Sequence, residues 1–138
     1  MKIFISETDR QNAKRVALRN LAKFFDIPNW EYKENDELFN DLSALNTETS
    51  TRVMGLLNTY FNAYDDWFNF YDEKRQIEQQ SENEYQLNEN EQQVLGNLIN
   101  RRESSLQALQ ERFDELQVQK FNRENFGGDI NGIIDQGQ

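Results

Sequence analysis

Two rows of apolar residues, each stepping alternately by four and three, constrain this chain more than any other feature of its 138 residues. In the first row Val53, Leu57, Tyr60, Tyr64, Trp67 and Tyr71 fall along one side of an α-helix, with Met54, Phe61 and Phe68 beside them. In the second, Leu95, Ile99, Arg102, Leu106, Leu109, Phe113, Leu116 and Lys120 keep the same alternation, with basic residues at two positions of the row. Such rows predict two helices of roughly 30 residues, each about 45 Å long, facing one another through their apolar sides. The polar run 79–90 holds no base and only Tyr85 and Leu87 as apolar anchors, which puts a chain reversal there. Because it contains neither Gly nor Pro, one continuous rod is the alternative.

The expected fold is therefore all-α, a helical bundle dominated by a long antiparallel hairpin of coiled-coil character. Three parts follow from this: residues 1–46 with a basic first helix and a short second one, residues 47–125 as the hairpin, and residues 126–138 as an extended docking tail. Lys2, Ile3, Phe4 and Ile5 form a short extended segment at the start. Ser6 and Asp9 stand at capping-box spacing and open the first helix, which Pro28 bounds. Trp30 and Tyr32 are expected to clamp the next connection onto the bundle. The second helix is expected from residue 35 or 36 to 45, with Leu38, Phe39, Leu42 and Leu45 inward, and Asn46, Thr47, Thr49 and Ser50 offer caps for the third. The fourth is expected to end near residues 122–125, before Gly127 and Gly128.

Only 36% of the residues are hydrophobic and the mean hydropathy is -0.96, low for helices that must cover their own apolar sides. A partner, or further copies of the chain, is expected to cover the remainder. Aromatic residues at 12% argue against disorder. The absence of cysteine excludes disulfides and thiolate chemistry, and the absence of histidine removes the commonest general base and metal ligand. No phosphate-binding glycine loop, dinucleotide fingerprint or Gly-x-Ser-x-Gly elbow occurs. These features point away from an enzyme and imply no cofactor and no metal. No stretch approaches the ~18 apolar residues of a membrane span, so the expected setting is cytoplasmic, or inside a virus particle assembled in the cytoplasm.

The net charge of -10 is unevenly spread, since residues 1–25 hold six basic and two acidic side chains. Arg10, Lys14, Arg15, Arg19 and Lys23 are the candidate nucleic-acid contacts, and Arg15, Arg19 and Lys23 form a row at i, i+4 and i+8. Intramolecular pairing with the acidic remainder is the competing reading. Candidate protein contacts are Phe70, which lies off the main row as an exposed anchor, Arg102 in the seam, and Phe126, Ile130, Ile133 and Ile134 in the tail. Arg102 is expected either to meet an acid on the facing helix or to touch another subunit. Asp65, Asp66, Asp72 and Glu73 lie mostly off the row and read as a solvated face. Asn and Gln together number 30, a hydrogen-bonding surface without charge that suits wet interfaces.

Two likenesses follow from these residues. Glu31, Glu34 and Glu37 with Glu111 and Asp114 resemble the Glu-x-x-Glu and Glu-x-x-Asp pairs of all-α nucleotide pyrophosphatases, which implies magnesium-dependent hydrolysis. The whole layout is similar to that of small bacteriophage accessory proteins, such as portal or head-to-tail adaptors and small packaging subunits. That resemblance implies a non-enzymatic assembly role in an oligomer, or DNA packaging through the basic first helix. The acidic body also suits a nucleic-acid mimic that inhibits a basic enzyme.

Overall fold

A computed structural model describes residues 5–125. Among them the chain is all-α, with α1 at Glu7–Phe24, a 3-10 turn at Trp30–Tyr32, α2 at Asn35–Ala44, α3 at Glu48–Ser81 and α4 at Glu89–Asn125. Residues 1–4, where most of the expected extended segment falls, and the tail with Phe126, Ile130, Ile133 and Ile134 lie outside the described residues.

Each start has a local chemical cause. The Asp9 amide donates to Ser6 Oγ at 3.1 Å while the Ser6 amide donates to Asp9 Oδ2 at 2.9 Å, which satisfies two donors at the start of α1. Thr47 and Ser50 repeat the exchange at α3, and Ser50 tolerates burial because its hydroxyl is fully engaged there. Asn88 and Glu91 do the same for α4, at 2.8 and 3.1 Å. Helix α1 stops at Phe24, before Pro28, where Asp26 and then Asn29 turn into the left-handed region, with φ of 55° and 57°. Short polar side chains tolerate that region better than most.

Helix α3 ends as Glu82 adopts φ 60°, so the two long rows lie on separate helices and not on one rod. Contacts between them run in opposite senses: Lys74 meets Glu91, Trp67 meets Arg102, and Asp66 meets Arg101. As numbers fall along α3 they rise along α4. Helix α1 also runs against α3, since Arg10 lies over Phe68 and Lys14 over Phe61. Both α1 and α4 are thus antiparallel to α3 and parallel to each other, and α2 packs on α1 and α3, with Phe39 stacked on Phe61 at 6.4 Å.

The core forms one cluster. Leu18, Leu21 and Ala22 from α1, Ile27 from the connection, Leu38 and Leu42 from α2, and Val53, Met54, Leu57 and Phe61 from α3 are all buried. Each fully buried leucine contributes about 1.5–3 kcal/mol relative to exposure. Helix α4 contributes only Leu109 and Leu116 to this buried set. Trp30 packs against the cluster as expected, whereas Tyr32 is 86% exposed and clamps nothing. The two rings lie two residues apart in a 3-10 turn of three residues per turn, so they point to different sides.

Candidate protein-interaction surface

The charged residues of α1 divide into two sets. Asp65 of α3 accepts Lys14 at 2.9 Å and Arg10 at 3.3 Å, and each cation also lies over a ring of the same helix. These two residues are consumed by packing inside the molecule, because one carboxylate and two aromatic faces replace the water they leave. Arg15 donates to the Lys33 carbonyl at 3.0 Å and to Asn35 Oδ1 at 3.3 Å, and Arg19 lies 5.2 Å over Trp30. Arg15, Arg19 and Lys23 form no ion pair with a carboxylate among the described residues. They keep their charge available on one side of α1.

Arg102 meets no acid on the facing helix among the described residues, one of the two partners that its position suggested. Its guanidinium lies 4.0 Å from the centre of the Trp67 ring, and among the described residues its one ion-pair partner is Glu103 on its own helix, at 3.5 Å. A flat cation on an aromatic face fills a seam position without leaving a buried charge exposed to hydrocarbon. Burial raises the pKa of Tyr60 and Tyr64 nearby, and the Arg102 charge works against that rise. Phe70, expected as an exposed anchor, is half-buried, with the Lys74 ammonium 5.0 Å from the centre of its ring.

Sequence reasoning passed over the polar knot at the turn between α3 and α4. Glu91 accepts the buried Lys74 ammonium at 2.8 Å and the Tyr85 hydroxyl at 2.7 Å, besides capping α4. The Lys74 and Tyr85 hydrogen bonds hold the Glu91 carboxyl down at about 2, and the same bond raises the Lys74 pKa. A signal was available: Lys74 continues the first row three residues beyond Tyr71, and Glu91 stands one turn before Leu95.

The other carboxylates are structural. Asp66 pairs with Arg101 at 3.1 Å, Asp72 with Arg75 and Gln76, and Glu73 approaches Lys74 at 3.7 Å, so the face read as solvated is laced with ion pairs. Glu37 caps the start of α2, Glu111 accepts from Gln107 and Asp114 from Gln110. No three acids among the described residues come together as a metal-binding group. The pyrophosphatase-like pairs therefore do not converge.

Several apolar side chains also stand on the surface. Helix α1 and helix α4 touch where Phe24 meets Phe113 at 5.8 Å and the Lys120 ammonium donates to the Phe24 carbonyl at 2.5 Å. That lysine satisfies an orphan carbonyl at the end of α1. Further back the two helices part and leave a depression of about 370 Å³ lined by Ala13, Val16, Ala17, Leu21, Tyr60, Leu106, Leu109 and Phe113. Val16 is 62% and Leu106 41% exposed. Leu106, a seam residue by its spacing, thus lies on the wall of an open trough, because α1 diverges too far to cover it. At the far end of α4, Val118 and Phe121 are 59% and 57% exposed, about one turn apart.

Among the described residues no helix is long and apolar enough to cross a membrane. Comparison with protein-family models, with curated proteins and with solved structures finds no match to this chain.

Proposed function

We propose that this chain is a non-enzymatic assembly protein, an adaptor or oligomeric component that joins other subunits through apolar contacts. Val118 and Phe121, 59% and 57% exposed at the end of α4, carry this reading, because they set two large apolar side chains about one turn apart on the surface. Around them α4 is rich in charged and amide side chains, the polar rim that specific interfaces use. The coiled-coil-like seam, with Arg102 as its polar member, supplies a stiff frame that presents this end at a fixed angle. A bacteriophage particle, where small helical adaptors join larger rings, is a setting that fits the layout.

Light scattering of the full chain during size exclusion tests the reading. The expected mass exceeds that of a monomer and rises with concentration, and Val118→Glu with Phe121→Glu returns it to one chain while helical circular dichroism is unchanged. A monomer at every concentration, or a double variant that associates like the parent, overturns it.

A second reading rests on Arg15, Arg19 and Lys23, which have no carboxylate partner among the described residues and suit contact with DNA phosphates in a packaging subunit. It expects salt-dependent DNA binding that disappears with Arg15→Ala plus Arg19→Ala. Unchanged binding in that variant removes it.

A further inference from the structure

The depression between α1 and α4 does not stand alone. A second, lined by Arg15, Val16, Arg19, Asn20, Lys23 and Trp30, shares Val16 and Asn20 with it. A third, lined by Asn20, Lys23, Phe24, Phe113, Gln117 and Lys120, shares Asn20 and Phe113. Together they form one trough along α1, with an apolar floor in its middle and Arg15, Arg19, Lys23 and Lys120 on its rim. It extends from Lys120 back to Leu106, 14 residues or about 21 Å along α4.

We infer that residues 126–138 of this same chain fold back and occupy that trough, with Ile130, Ile133 and Ile134 on its apolar floor and Asp129 and Asp135 against its cationic rim. Three observations on independent properties support the match. The first is reach: α4 runs to Asn125, five residues or about 8 Å beyond Lys120, and Gly127–Gly128 permit a reversal there without Cβ cost. An extended chain at ~3.3 Å per residue then brings Ile130 level with Lys120, Ile133 near Asn20 and Asp135 near Arg15 and Arg19. The second is charge: the segment carries two aspartates and no base, and the three rim cations of α1 have no carboxylate partner among the described residues. The third is the apolar content, since three isoleucines in five residues meet a floor that leaves Val16 and Leu106 exposed.

A short tether gives the tail an effective concentration in the millimolar range at its own trough, so occupation by another copy's tail is disfavoured in dilute solution. This trough is separate from the α4 end that carries the assembly reading, and either proposal stands without the other.

The chain has no native cysteine, so engineered pairs report cleanly. The full chain with Asn20→Cys and Ile133→Cys, oxidised at low micromolar concentration, is expected to form an intramolecular disulfide and run as a faster monomer on a non-reducing gel. Val94→Cys with Ile133→Cys is the control, since Val94 lies 31 residues or roughly 46 Å back along α4 and is beyond the tail's reach. In parallel, the single variant Asn20→Cys is labelled with an uncharged maleimide, and adding Ile130→Ser, Ile133→Ser and Ile134→Ser is expected to speed labelling at least several-fold. The proposal fails if the Asn20 pair oxidises no faster than the control, if it yields covalent dimers instead, or if the serine substitutions leave the labelling rate unchanged.

Discussion

The guanidinium of Arg102 on α4 lies 4.0 Å from the centre of the Trp67 ring on α3, so a polar residue of the second row meets the first as a cation on an aromatic face. Its consequence is that charge and apolar packing are not in opposition there. The flat cation covers the indole much as a leucine would, while its edge reaches Glu103 and the solvent.

Arg102→Ala removes both the packing and the electrostatic attraction, and is expected to lower stability by about 1–2 kcal/mol in urea unfolding. Arg102→Lys is expected to recover less than half of that loss, because a rounded ammonium does not stack. A double-mutant cycle with Trp67→Leu isolates the pair, and a coupling near zero would show that Arg102 acts elsewhere.

Glu91 sets an acid limit on the fold. Its folded pKa of about 2 lies below its ordinary 4.5, owing first to Lys74 and then to Tyr85. The stabilisation it brings is fully present above pH 4.5 and is lost as pH falls from there towards 2. Glu91→Gln is expected to be less stable than the parent at pH 7, with the difference shrinking below pH 4.5. Unfolding curves collected across that range check the sign, and a gap that stays constant with pH would disprove the assignment.

Asp65 holds two cations of α1 at once. Asp65→Asn is expected to cost roughly 1 kcal/mol at low salt, and less at 0.5 M salt where the Debye length is shorter than the pair's surroundings. If Arg10 and Lys14 are instead free of Asp65, the variant will keep the parent's stability at every salt concentration.

Glu82 ends α3 in the left-handed region, with φ 60°, at the place where glycine is commonest. Glu82→Gly is expected to raise stability by about 0.5–1 kcal/mol, the relief of Cβ strain exceeding the extra freedom of the unfolded chain. Thermal unfolding followed by circular dichroism reads the change, and a lower midpoint would contradict the local geometry.

Spacing alone determined that the chain is helical, since rows at steps of three and four have no counterpart in a strand, and capping residues such as Ser6 and Thr47 marked where helices begin. The same local rules reached the end of α1 before Pro28 and the span of α2 within a residue. They did not reach the partners. Whether Lys14 would face phosphate or Asp65, whether Arg102 would find an acid or a ring, and which of Trp30 and Tyr32 would turn inward depend on residues up to 51 positions away. Only the tertiary arrangement decided that Lys74 and Glu91 form a knot and that Leu106 stands on the wall of a trough. Periodicity fixes the side of a helix on which a residue lies, whereas the divergence of α1 from α4 fixes what, if anything, comes to cover it.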